Sequence, residues 1–454
     1  MRRLAIGFVL IGSTVFSQSF QTPPLVLTDS RPTADAAFGS ALAIGDFNAD
    51  GIQDLAVSTD GIQDLAVSTF NERVLIFYGR ATLQRTPNRA LTAREAGIGF
   101  GAALAAGDWN RDGRTDLAIG APDASNSEDP PSMFDGKVIV YRGASNFGTN
   151  PMTLRSPIPP LPVDPDVPDF GTMGGHFGEA LAAGDVDGDR TSDLIVSASW
   201  LDAVAILYGG TQIGSRRTIL QNIAGEFLEL YFAVAAGDVN KDGFADVLIG
   251  APFGGPNRNG AVYVFFGGRS LSSRPNLTLP NPRPASDPDV RDPTFASSLA
   301  AADLNGDGYA DIIVGDPSQS YPRVYVYLGG PTVSTTPALI LQESVPRTGS
   351  YFGYALAAGD LNGDGIADLA VGAPAISEDS EEGQRAGQVH VFYGGSAIGP
   401  TANLVIDPPS PVAGMEFGTA LAIGDLNRDG KPDLVVGAPG AARRAGQVIV
   451  YLGR

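Results

Sequence analysis

Apolar residues along this chain come in short runs, each cut off by Gly, Asp or Asn. The stretch 352–374, FGYALAAGDLNGDGIADLAVGAP, shows the order: an apolar run, an acidic loop, a second apolar run and a turn. Runs of this length, bounded by turn residues and lacking helical periodicity, predict strands. The same order recurs seven times, with acidic loops beginning at Asp46, Asp108, Asp185, Asp238, Asp303, Asp360 and Asp425. Those starts lie 62, 77, 53, 65, 57 and 65 residues apart. A recurring unit of this size predicts a repeat architecture before any single residue is weighed.

In the first unit, Phe38 to Ile44 is strand one, Asp46 to Asp54 the loop, Leu55 to Thr59 strand two and Arg73 to Gly79 strand three. Strand three recurs at 136–143, 203–210, 260–268, 323–330, 387–395 and 446–453, rich in β-branched and aromatic residues and ending in Gly. A weaker fourth strand follows in six units, at 90–92, 152–154, 218–220, 277–279, 338–341 and 404–406. Four strands in each of seven units predict an all-β fold, a seven-bladed β-propeller of four-stranded antiparallel blades over 22–454. The seventh unit has no fourth strand of its own. Residues 24–29, PLVLTD, resemble Asn403 to Asp407 and are expected to pair beside Gln447–Leu452, closing the ring and hiding an edge. Residues 50–59 recur letter for letter as 60–69. The first copy keeps the regular loop spacing, so the second is expected to bulge out or lengthen the link to strand three.

Each loop repeats one chemistry. In the sixth, Asp360, Asn362, Asp364 and Asp368 put side-chain oxygens at positions one, three, five and nine, with Gly365 at six. A hard cation such as Ca2+ takes six to eight oxygen ligands. Four side chains and the carbonyl of position seven, here Ile366, nearly fill that shell, and the glycine permits the sharp turn. The corresponding sets are Asp46, Asn48, Asp50, Ile52 and Asp54 in the first loop, and Asp108, Asn110, Asp112, Arg114 and Asp116 in the second. The third has Asp185, Asp187, Asp189, Thr191 and Asp193; the fourth Asp238, Asn240, Asp242, Phe244 and Asp246. The fifth has Asp303, Asn305, Asp307, Tyr309 and Asp311; the seventh Asp425, Asn427, Asp429, Lys431 and Asp433. Position seven varies freely, as expected of a backbone ligand. Up to seven calcium ions are expected. The third loop has Arg190 where the others have Gly and is expected to be the weakest. An EF-hand shares the first six positions, but strands flank every loop here and no Glu stands at position twelve. Acidic turns without metal are the competing reading.

Charge sharpens this picture. The net charge is −20, and 22 of the 50 acidic residues sit in the seven loops. Clustered carboxylates repel one another, and bound cations relieve that repulsion. No basic face offers itself to nucleic acid. Residues 1–19 read as a secretory signal: Met1-Arg2-Arg3, an apolar run from Leu4 to Phe16, then Ser17-Gln18-Ser19. Cysteine is absent, so no disulfide framework or thiolate site is expected. No later run could span a bilayer. The expectation is a secreted chain, extracellular or at the cell surface.

The loops and their flanks resemble the FG-GAP repeat family, known from the N-terminal propeller of integrin α-chains. The FG pair stands at Phe38-Gly39, Phe100-Gly101, Phe177-Gly178, Phe352-Gly353 and Phe417-Gly418. The GAP triplet stands at Gly120-Ala121-Pro122, Gly250-Ala251-Pro252, Gly372-Ala373-Pro374 and Gly437-Ala438-Pro439. The fourth unit has Leu230-Tyr231, and the fifth has Phe295-Ala296 and Gly315-Asp316-Pro317. Integrin relatives carry the calcium loop on some blades only, so the resemblance is to secreted bacterial-type members, and integrin-style pairing with a second chain is not expected. It implies a binding or adhesion module for an extracellular protein or glycan. The binding face is expected opposite the loops, with Phe134, Trp200 and the acidic run 378–382 as candidates; hinge packing is the bland alternative for Trp200.

Catalytic material is scarce. His390 sits where Ile449 sits in the last unit and is expected to be a packed strand residue; His176 has no partner motif. No GxSxG, HExxH or phosphate loop occurs. Family enzymes add a separate catalytic domain. A hydrolase or lyase acting on extracellular polysaccharide, or a structural envelope component, remains the alternative.

Overall fold

The structure, a computed structural model, describes residues 20–29, 31, 36–59, 72–92, 99–124, 132–159, 172–223, 233–255, 258–283, 294–345, 347–375 and 385–454. Seven four-stranded antiparallel sheets follow one another around a ring as the blades of a β-propeller. Each is a meander. In the first blade, Phe38–Gly45 pairs with Asp54–Thr59, which pairs with Arg73–Phe77, which pairs with Arg89–Thr92. The first strands of neighbouring blades touch one another and line the axis. The loop from strand one to strand two and the turn from strand three to strand four therefore share one face. The remaining links share the other.

Burial follows from this packing. Every residue of Asp54–Thr59 is buried, as in the second strand of every blade, because each sheet is covered on both faces. Side chains alternate across the sheet. Ala56 joins a core shared with Leu117 and Ile119 of the second blade, while Leu55 and Val57 join one shared with Val435 and Val450 of the seventh. Each fully buried Val or Leu is worth roughly 1.5–3 kcal/mol. The outer strands are thinly buried, with Leu91 alone fully enclosed in Arg89–Thr92, which is why their pattern is the faintest in the sequence.

The FG and GAP letters are the seam between blades. The FG phenylalanines Phe38, Phe100, Phe177, Phe352 and Phe417 are all 0% exposed. The glycines after them hold φ between +94 and +107°. Gly101, Gly353 and Gly418 donate their N–H to the GAP carbonyls of Gly120, Gly372 and Gly437. A Cβ on Gly120, Gly372 or Gly437 would lie 1.9 to 2.0 Å from the FG glycine carbonyl of the next blade. No side chain fits there.

The ring closes as expected. Leu25–Leu27 pairs antiparallel with Gln447–Tyr451, Leu25 opposite Val450 and Leu27 opposite Val448. Closure reaches further than the expected 24–29: Phe20 bridges to Gly453, is 1% exposed and packs 5.9 Å from the Tyr451 ring. The first copy of the duplicated segment supplies the loop and the strand Asp54–Thr59, while the second copy, 60–69, lies outside the described residues.

Candidate metal centre

Six of the seven loops share one set of hydrogen bonds. Asp46 accepts the N–H of Asp50 at 3.0 Å and of Gly51 at 2.8 Å; Asn48 accepts Asp50 N–H, and Asp50 accepts Ile52 N–H, both at 2.9 Å. The same four bonds recur in the loops starting at Asp108, Asp238, Asp303, Asp360 and Asp425. Positions one, three and five are thus oriented by the loop's own backbone.

Position nine does something the spacing did not reveal. Asp54 Oδ2 accepts the N–H of Phe47 and Asp54 Oδ1 that of Gly79, the glycine ending strand three. Asp116, Asp193, Asp246, Asp311, Asp368 and Asp433 repeat this with Gly143, Gly209, Gly267, Gly329, Gly394 and Gly453. Each carboxylate ties the loop to the third strand. Burial pushes the Asp54 and Asp433 carboxyls up from 3.8 to about 7, and those of Asp116, Asp193, Asp246, Asp311 and Asp368 to about 6, against the lowering pull of their N–H donors. Inside a protein an ionised carboxylate needs a positive partner. An all-oxygen donor set is the kind a hard divalent cation takes, and among the described residues only the third loop brings three carboxylate oxygens within 4.8 Å of one another.

The third loop differs. Oxygens of Asp185, Asp187 and Asp193 lie within 4.8 Å of one another. Asp185 Oδ1 is buried with no hydrogen-bond partner, although Asp185 Oδ2 accepts Arg190 N–H at 2.8 Å. Arg190 adopts φ 67° and so keeps the turn that Gly makes elsewhere. Asp187 stands where the other loops have Asn, and the Arg216 guanidinium forms an ion pair with it. An open cleft of about 410 Å³ lies on this same face between the first and seventh loops, lined by Gln53, Asp425 and Arg428 among others.

On the opposite face Phe134, His176 and Trp200 come together. His176 stacks on Trp200 at 4.0 Å and 17°, and Phe134 lies 5.2 Å from His176 and 5.8 Å from Trp200. His176 Nδ1 faces Asp123 Oδ1 at 3.6 Å, and burial lowers its pKa. This grouping joins two residues singled out from sequence to a third that was not connected to them. The run 378–382 lies outside the described residues. His390 is a packed strand residue, 2% exposed, edge-on to Phe352 and 3.5 Å from Glu343. Among the described residues no helix is long and apolar enough to cross a membrane.

A ring of seven four-stranded blades, sealed by FG and GAP glycines and carrying an aspartate loop on each blade, is an FG-GAP propeller, and the chain belongs to the FG-GAP repeat family. The FG-GAP repeat matches residues 38–77, 100–141, 231–265, 352–392 and 417–451, and the FG-GAP-like repeat matches 303–371. Integrin alpha-5 of Xenopus laevis is 32% identical over 252 residues, 51% of this chain and 22% of that protein. Phosphatidylinositol-glycan-specific phospholipase D of Homo sapiens is 34% identical over 169 residues, 34% of this chain and 20% of that enzyme. The chain spans about a fifth of the length of these relatives. Among solved structures, BBS1N in complex with ARL6DN superposes with a TM-score of 0.52 at 14% identity, covering 94% of this chain and 96% of that one. That likeness shows the fold alone.

Proposed function

We propose that this chain is a secreted, calcium-loaded propeller that binds an extracellular protein or glycan on the face opposite its aspartate loops. The observation that carries the calcium reading is the repeated aspartate loop, whose own backbone orients the side-chain oxygens of positions one, three and five over a buried aspartate at position nine. A cation held by the ionised carboxylates offsets the cost of that burial. Family membership and similarity to an integrin α-chain support a binding role. Phe134, His176 and Trp200 put partly exposed aromatic surface where a partner would dock, while the tight His176–Trp200 stack equally supports the hinge-packing reading. The signal-like residues 1–19 support export.

The similarity to a phospholipase favours a second reading, an enzyme. The His176–Asp123 pair is its nearest material, but His176 Nε2 is enclosed and cannot reach a substrate without rearrangement. Incubation with extracellular glycans and with the secreted fraction, calcium present, separates the two. Retention without products supports the binding module; turnover overturns it in favour of the enzyme.

A further inference from the structure

We infer that the third loop carries its own cation: the Arg216 guanidinium, paired with Asp187, competes there with a divalent ion. The inference rests on the calcium reading of the other six loops. Three features of the third blade converge on it.

The first is charge. The third loop holds four carboxylates, Asp185, Asp187, Asp189 and Asp193, where each of the others holds three. The extra one is Asp187, whose side chain is 5% exposed. Elsewhere position three is Asn, and in five of the six loops its amide donates to a neighbouring carboxylate, as Asn110 does to Asp116 and Asn427 to Asp429. An aspartate has no such donor. A buried carboxylate among three others needs a positive group brought to it.

The second is how Arg216 arrives. In the first, fourth and sixth blades, the N–H at the end of strand three goes to an asparagine side chain: Tyr78 to Asn88, Phe266 to Asn276, and Tyr393 to Asn403. The residues before those asparagines are Pro87, Pro275 and Ala402, which offer no charge. In the third blade the equivalent N–H, that of Tyr208, goes instead to the Arg216 carbonyl at 3.1 Å. The side chain is left free to fold back over the loop. It lies flat on the Tyr208 ring, 3.8 Å from its centre, and pairs with Asp187. A guanidinium suits this place because its planar, weakly hydrated head stacks and hydrogen-bonds at once.

The third is the state of the donors. Asp187 Oδ1 takes Asp189 N–H at 3.1 Å and Asp187 Oδ2 takes the guanidinium, so both of its oxygens are engaged. Asp185 Oδ1, which in the other loops accepts the N–H of position five, has no partner here. The oxygen frame persists, but a divalent ion entering it would compete with a positive charge already paired to Asp187. Sequence alone gave Arg190 as the reason for a weak third site. Arg190 adopts the required turn, and Arg216 is the residue that competes.

The test counts ions. Equilibrium dialysis against calcium, followed by metal analysis, gives bound ions per chain for the wild type, Arg216→Gln and Arg216→Met. Both variants keep an unbranched stem against Tyr208 and lose the charge, so failure of one to fold leaves the other. Each is expected to bind one more calcium per chain than the wild type at the same free calcium. Adding Asp185→Asn to either is expected to remove the gained ion, and Arg216→Lys, which keeps the charge, to resemble the wild type. An unchanged count in the neutral variants overturns the inference, as does a gain that Asp185→Asn leaves in place. A wild type that binds no calcium at any loop refutes the calcium reading separately.

Discussion

The seven position-nine aspartates make metal-free stability fall as pH rises and make the stabilisation by calcium grow over the same interval. Their carboxyls ionise at about 6 to 7 in the fold, against 3.8 ordinarily. A carboxyl whose pKa is raised by folding adds no penalty below about pH 4, where both states hold the proton. The penalty grows from about pH 4, where the unfolded chain releases the proton, up to the folded value and is complete above it. Each pH unit between the two values is worth about 1.4 kcal/mol, so one group at about 6 costs the fold roughly 3 kcal/mol once ionised. Seven such groups make the metal-free ring less stable near neutral pH than at about pH 4. Calcium binds the ionised form, competes with protons and stabilises by mass action, about 2.7 kcal/mol per site at ~100-fold excess over its Kd. Calorimetry on metal-free protein is expected to show Tm falling between about pH 4 and about pH 7 and levelling above that, with calcium restoring more at the higher pH. A metal-free Tm that is flat or rising over this interval would refute the reasoning, and so would a calcium increment equal at both ends.

Gly437→Ala places a Cβ 2.0 Å from the Gly39 carbonyl across the closing seam and is expected to cost about 1–3 kcal/mol or more by urea denaturation, whereas Gly399→Ala meets nothing within 4 Å and should change little. Phe20→Ala removes a ring that is 1% exposed against Tyr451 and should cost about 3–5 kcal/mol by the same assay; no effect would mean that the closing strand ends at Leu25. Deleting residues 60–69 should leave Tm unchanged or higher, since the first copy already supplies the paired strand Asp54–Thr59; a large fall would show the second copy to be structural. Asp425→Ala should lower the calcium-dependent part of Tm more than Asp185→Ala, because Arg216 already balances charge in the third loop; the reverse order would contradict that.

What could be read from the chain was whatever a fixed spacing encodes. Asp360, Asn362, Asp364 and Asp368 lie in one loop, so their shared place follows from nine consecutive letters. The closing strand was legible because the seventh blade lacked a partner and the first residues matched one. The second role of Asp368 was hidden, because its other partner, Gly394, is 26 residues away and is reached only once strands two and three pair. Arg216 was hidden for the same reason: nothing local marks that a turn between strands three and four lies over a loop between strands one and two. The left-handed residues at loop position four, Ala49, Arg111, Lys241 and Arg428, were hidden because none is glycine.

The fifth blade shows what the family letters encode. It departs from both, with Phe295-Ala296 for FG and Gly315-Asp316-Pro317 for GAP. Yet Ala296 adopts φ 70° and donates its N–H to the Gly315 carbonyl at 2.9 Å, so the seam is built as elsewhere. A non-glycine residue in that region costs roughly 1–2 kcal/mol. The GAP glycine itself is kept, because a Cβ on Gly315 would lie 2.3 Å from the Gly353 carbonyl, and backbone cannot yield as a side chain can. Asp316, 2% exposed, is accommodated by Thr294 Oγ1 at 2.6 Å and by Arg283 at 3.6 Å. Letters that set a preferred backbone angle can be replaced at a modest cost, and letters that exclude a side chain from a carbonyl cannot. On that basis Ala296→Gly should stabilise the ring, while Gly315→Ala should destabilise it, although both replace one small residue by another at the same seam.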